Sequence, residues 1–231
     1  MATIVITGAN AGVGWDACRQ LALLPDTPST PKVGKIVLTC RSAEKAQDAI
    51  ERLVAAGCAR ELFSFVLLDL DSPMSVKDAV GALPPKIDKL CLNACLWDAG
   101  MHPSGLTKTA MSLVGDAVLV DGLLAAGKLS AGATVLYVGT ELTRPIISFS
   151  LNQLQAWGYA NSRTCFNTIT DSALEAYPVE NVCGCIPSRG EIQTYANAKV
   201  LGHLYFSNMA RKRPDIHWLN TSPGPVVPTT V

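Results

Sequence analysis

A short β-branched run, Thr3-Ile4-Val5-Ile6-Thr7, passes into Gly8-Ala9-Asn10-Ala11-Gly12-Val13-Gly14 and then into a helical pattern from Trp15 to Leu24. Strand, glycine-rich turn and helix in that order make a phosphate cradle. Glycines permit a tight turn and close backbone approach, while the helix N-terminus offers unpaired N–H groups and a favourable dipole. Gly8, Asn10, Ala11, Gly12, Val13 and Gly14 are its candidate residues; the alternative is an ordinary βα turn that happens to be rich in glycine.

Alternation of β-branched runs with helical patterns continues down the chain. Pro25 to Gly34 cannot extend the first helix and leads into a second strand, Lys35–Thr39. A helix over 43–56, a third strand over 62–68, a helix from Ser72-Pro73, a fourth strand at Lys89–Cys95 and an apolar helix over 106–128 follow. Strand five covers Ala133–Val138, and strand six Ile216–Asn220. The fold expected is α/β: one doubly wound parallel sheet, Rossmann-like, in three α/β/α layers. With 231 residues and 48% hydrophobic content the chain suits a single domain with a large core.

Ligands of such sheets bind beyond the carboxyl ends of the strands, which directs attention to the residues found there. Arg41, after strand two, suits a ribose 2′-phosphate, and no acid occupies that strand end; NADPH is therefore expected over NADH, with a solvated strand-end charge as the alternative. Asp69, with Leu70 beside it, is placed to meet the adenine amino group, unless it and Asp71 only cap the next helix. Asn93 and Ala94 leave strand four, where a structural and a cofactor-contacting role are equally open. Thr140, past strand five, brings a hydroxyl near a reacting carbonyl or simply closes a turn.

A second signal lies far along the chain. Tyr195 and Lys199 are four residues apart in a helical stretch taken to about Lys212, so they share a face. A nearby ammonium favours the phenolate, and Lys199 is expected to tune Tyr195 for proton transfer. Residues 141–192 exceed what a βα connection needs and interleave Phe149, Trp157, Tyr159, Phe166 and Tyr177 with polar residues; a lid or substrate wall is expected there.

Nineteen basic and nineteen acidic residues cancel, which argues against nucleic acid or an anionic membrane as partner and for a small molecule. Met1-Ala2 runs straight into the first strand and no apolar stretch is long enough to span a bilayer, so a soluble protein is expected, cytoplasmic or, with a targeting segment missing from this chain, in an organelle lumen. Eight scattered cysteines fit a reducing compartment, and Cys183-Gly184-Cys185 has no second pair or histidine at metal-ligand spacing, so no metal is expected.

Thr7-Gly8-x-x-x-Gly12-x-Gly14, Asp69, Asn93-Ala94, Tyr195-x-x-x-Lys199 and Pro223-Gly224 occur in the order found in the short-chain dehydrogenase/reductase family, which the chain resembles over essentially its whole length. Within that family Cys40-Arg41, Asn93-Ala94-Cys95, Gly139-Thr140 and the long insertion look like the light-dependent protochlorophyllide oxidoreductases; carbonyl and 3-ketosteroid reductases with long insertions are similar too. The resemblance implies NADP(H) as cofactor and hydride transfer to a carbonyl or activated C=C of a small hydrophobic substrate. It implies Tyr195 as proton donor, Lys199 on the nicotinamide ribose, and Pro223 and Gly224 turning across the site. It also implies a monomer or homodimer.

The departures are specific. Ser112 stands where the family places the asparagine of its proton relay, Thr140 replaces the catalytic serine, and Pro225 stands where the light-dependent enzymes have cysteine. Against the family pattern the chain stops at Val231, short of the last helix and strand. A catalytically silent NADP(H)-binding regulator is the competing expectation.

Overall fold

The computed structural model describes residues 1–27, 32–95, 100, 102–104, 106–140 and 190–222; for 190–194, 196, 197, 200 and 201 it describes the backbone alone. Six parallel strands form one sheet: β1 (Ala2–Thr7), β2 (Val33–Cys40), β3 (Phe63–Leu67), β4 (Ile87–Leu92), β5 (Leu129–Val138) and β6 (His217–Thr221), in the spatial order β3-β2-β1-β4-β5-β6. Five α-helices and a 3-10 turn at Arg60–Leu62 accompany them among the described residues: α1 (Gly12–Leu23), α2 (Ala43–Ala55), α3 (Pro73–Ala82), α4 (Lys108–Ala125) and α5 (Gly190–Lys212). The strand order reverses between β1 and β4, and a crevice opens at that switch point.

Alternation along each strand divides the core between two faces. Ile4 and Ile6 of β1 join Ile36 and Leu38 of β2 against Cys18 of α1 and Ile50 and Leu53 of α2. Val5 and Val37 point the other way, packing with Leu90 and Leu92 of β4, Val135 and Tyr137 of β5, Leu119 and Leu123 of α4, and Phe206 of α5. The expected doubly wound sheet is therefore present, with a hydrophobic layer on both sides.

Local chemistry sets the helix starts. Ser42, Ser72 and Thr107 each accept from the N–H three residues on, at 3.3, 3.3 and 3.2 Å, and Pro73 occupies the first turn of α3. Several boundaries differ by a few residues from the pattern in the sequence, three of them for a visible reason. α1 begins at Gly12, not Trp15, because the turn glycines supply its first helical residues. β5 begins at Leu129, where Leu129 pairs with Ile87 across an irregular register, and Gly132, at φ +82°, donates to the Asp215 carbonyl at 2.8 Å. α5 begins at Gly190, so residues 190–192 belong to that helix and not to the insertion; 141–189 lie outside the described residues.

Candidate active site

Thr7 closes β1, and its Oγ1 accepts from both the Asn93 N–H at 3.0 Å and the Ala94 N–H at 2.9 Å. Asn93 returns the contact: its Nδ2 donates to the carbonyls of Thr7 at 3.0 Å and Gly8 at 3.3 Å. The glycine turn and the exit of β4 are thereby tied together. The Asn93 Nδ2 thus serves the scaffold, and the same residue lines the crevice.

Glycine is required here by geometry. Gly8 sits at φ +63° with Ala94 Cα 2.9 Å from where a β-carbon would be, and Gly12 sits at φ +56°. A β-carbon on Gly14 would lie 2.6 Å from both Asn93 Nδ2 and the Gly8 carbonyl oxygen. Ala11 is the N-cap of α1, and no side chain among the described residues bonds the N–H groups of its first turn. Unpaired N–H groups at a helix start are what a phosphate needs. Val13 is 38% exposed, in the first turn of α1.

The crevice, about 250 Å³ over the described residues, is lined by Gly8 and Asn10 from the turn, Thr39–Arg41 after β2, Leu68–Asp71 after β3, Asn93–Cys95 after β4, and Ser112 of α4. Arg41 is exposed at its rim. Asp69 accepts from the Asp71 N–H at 3.2 Å, while Ser72 caps α3, which separates the two roles left open for the acids. Burial and the neighbouring Asp69 charge push the Asp71 carboxyl up; His102, Arg41 and Lys108 pull it down. Thr39 Oγ1 and Asp71 Oδ1 are buried there without a hydrogen-bond partner among the described residues. A positive-φ turn, uncapped helix donors and two orphaned polar atoms suit a ligand with phosphates and hydroxyls.

At its inner end the crevice reaches Cys95, and Cys95 meets Lys199: burial raises the thiol, and Lys199 opposes this by charge and by a side-chain hydrogen bond. Lys199 is 1% exposed. Its Nζ donates to the Val138 carbonyl at 2.7 Å and stands 4.9 Å from the ring centre of Tyr137 and 5.8 Å from that of Tyr195. Tyr195 and Lys199 thus converge at the carboxyl end of β5, where Thr140 follows the strand. One expectation is corrected. Tyr195 is not lowered: burial, with a smaller push from Cys95, raises its hydroxyl to about 12.

Ser112 lines the crevice, but its hydroxyl donates to the Lys108 carbonyl at 3.2 Å in its own helix. Pro223 and Gly224 lie outside the described residues. Thr7 was visible only as the first letter of the glycine motif. Cys95 and Asp116, which belong to the Lys199 neighbourhood, carried only the faint signal of a thiol beside Asn93-Ala94 and an acid in an apolar helix.

No family model matches the chain. It is 40% identical over 100 residues to the 3-keto-steroid reductase erg27 of Schizosaccharomyces pombe, covering 41% of this chain and 30% of that protein. It is 27% identical over 200 residues to the short-chain dehydrogenase anuD of Penicillium roqueforti, covering 81% of this chain and 48% of that one. The chain thus spans less than half the length of these curated relatives. Menthone neomenthol reductase from Mentha piperita shares the fold at a TM-score of 0.65 and 19% identity, over 93% of this chain and 87% of that one. NADPH-bound carbonyl reductase from chicken fatty liver does so at 0.62 and 16%, over 96% and 79%. The chain is thus similar in sequence to short-chain dehydrogenases and reductases and shares the fold of solved reductases.

Proposed function

We propose that the chain is an NADP(H)-dependent oxidoreductase that reduces a carbonyl, or an activated C=C bond, of a small hydrophobic substrate. The observation that carries this reading is the continuity from the glycine turn, through Asn93 and Cys95, to the Lys199 ammonium beside Tyr195. The names of relatives, a keto-steroid reductase and an NADPH-bound carbonyl reductase among them, support it.

Gly8–Gly14 and the first turn of α1 would hold the pyrophosphate, Arg41 the 2′-phosphate, Asp69 and Leu70 the adenine, and Lys199 the nicotinamide ribose. The bound nucleotide supplies a hydride. The chain's own residues do the rest: Thr140 orients the substrate oxygen, and Tyr195 surrenders its proton to the oxygen on which negative charge develops. A phenol pushed up to about 12 holds that proton at neutral pH, the form a proton donor needs. The whole chain acts as one domain, with the segment from 141 as the wall of the substrate site. Among the described residues no helix is long and apolar enough to cross a membrane.

Ser112, tied back to its own helix, favours a second reading, a nucleotide-binding regulator without turnover. One experiment separates the two. Melting temperature is measured with NADPH and NADH, and turnover is assayed across ketones, aldehydes and quinones. The reductase reading expects an NADPH-dependent rise together with turnover, and Tyr195→Phe should keep the rise while losing on the order of 10²- to 10⁴-fold in rate. A rise without turnover on any substrate supports the regulator; undiminished turnover in Tyr195→Phe sinks the assigned mechanism.

A further inference from the structure

One polar group on α4 is used neither by the crevice nor by the chemistry above. Asp116 is 0% exposed, and neither of its carboxyl oxygens has a hydrogen-bond partner among the described residues. An unpaired carboxylate taken out of water is costly enough that the group holds a proton instead. Burial raises Asp116 to about 8, with the charge of Lys199 pulling against it. The titratable groups whose charge couples to it are Lys199 from α5, Cys95 beyond β4, Tyr137 from β5 and, from the other face of the sheet, Cys91 of β4.

Ser112 lies one turn earlier on the same face of α4. Its hydroxyl donates to the Lys108 carbonyl, and α4 packs directly against α5, the helix that carries Lys199. Resting on the reductase reading, we propose that Asp116 is the positioning residue through which α4 acts on Lys199, its buried carboxyl setting the charge balance that holds the ammonium beside Tyr195. With the carboxyl neutral, Lys199 relies on the Val138 carbonyl, the Cys95 thiol and two aromatic rings. With the carboxyl ionised, a full opposite charge on α4 competes for the same ammonium, and the proton-donating pair is redrawn.

The test uses the full chain with carbon-13-labelled aspartate, first without nucleotide. Carboxyl NMR of the wild type should show one group titrating near pH 8, absent from Asp116→Asn, and in Lys199→Met that titration should move up because the ammonium favouring the carboxylate is gone. If every wild-type carboxyl titrates in the ordinary range, or Lys199→Met leaves the high titration in place, the coupling is overturned; the wild-type spectrum decides this even where a variant does not fold. Melting gives an independent reading. An aspartate that holds its proton more tightly folded than unfolded loses the folded state stability as pH rises from about 4 to about 8. Asp116→Asn has no such loss, so its advantage should grow across that interval and then level; a pH-independent difference contradicts the proposal. With NADPH and a ketone, the wild-type turnover profile should carry an ionisation near pH 8 that Asp116→Asn lacks, with KM for NADPH changed less than about twofold; identical profiles overturn the catalytic role. Failure of the wild type to reduce anything overturns the reductase reading and that role with it, while the NMR titration still decides the coupling.

Discussion

Arg41 and Asn93 show two ways in which a single side chain makes a nucleotide crevice. Arg41 is exposed at the rim, so its value lies in what it meets there. Arg41→Ser should weaken NADPH binding by about tenfold or more, the loss of a charge-assisted phosphate contact, and leave NADH nearly unchanged. Paired fluorescence titrations check this; equal weakening of both nucleotides would assign Arg41 a different task. Asn93 instead belongs to the scaffold, donating to two main-chain carbonyls across the switch point. Asn93→Ala should cost about 1–3 kcal/mol in denaturant unfolding, because the carbonyls of Thr7 and Gly8 lose their donor. The sequence made Arg41 readable, since a cation at the end of the second strand has a chemical meaning by itself. It left Asn93 ambiguous, since an amide serves a backbone or a ligand equally well until its neighbours are known.

Among the elements, α5 approaches β5 so closely that only glycine is accommodated at 202. A β-carbon there would stand 2.2 Å from the Tyr137 hydroxyl, whose oxygen in turn contacts the Lys199 carbonyl at 3.4 Å. Gly202→Ala should therefore overpack the helix against the strand at a cost of about 1–3 kcal/mol and displace the turn carrying Lys199. A lowered denaturation midpoint with NADPH binding retained, but turnover reduced, is the expected outcome. α4 makes a similar approach at Gly115, where a β-carbon would fall 2.3 Å from the Leu70 carbonyl oxygen. Helices and strands were legible here because β-branched runs and apolar periodicity alternate cleanly. Close approaches such as Gly202 on Tyr137 were not, since they join residues distant in the chain. Asp116 was overlooked for the same reason: its meaning comes from Lys199 on another helix.

At the scale of the whole molecule, the two-sided core buries ionisable groups that a one-sided sheet would leave wet. Burial lifts the thiols of Cys18 to about 12 and Cys91 to about 11, against an unfolded value of 9.0. Above the unfolded value the native state keeps protons that the unfolded chain releases, so stability should fall as pH climbs from about 9 toward 11. Each such thiol contributes up to about 1.4 kcal/mol per pH unit across that window. Melting curves at successive alkaline pH values check this, and Cys91→Ala should flatten the decline; an unchanged slope would place the alkaline lability elsewhere. The fold itself was legible at this scale, from one glycine turn and the spacing of the strands. The buried titrating groups were not, because a sequence shows which thiols exist without showing which face of the sheet each one occupies.

The hydroxyl of Thr7 serves two masters: one oxygen atom receives the first two amides beyond β4 while its own residue launches the glycine turn. Ala94, gripped in this way, is followed immediately by the thiol that touches Lys199. Whatever settles into the turn therefore leans on the same rivet that seats the lysine's neighbour. The two ends of the crevice thus share one hydrogen-bonded junction, at Thr7, Asn93 and Ala94.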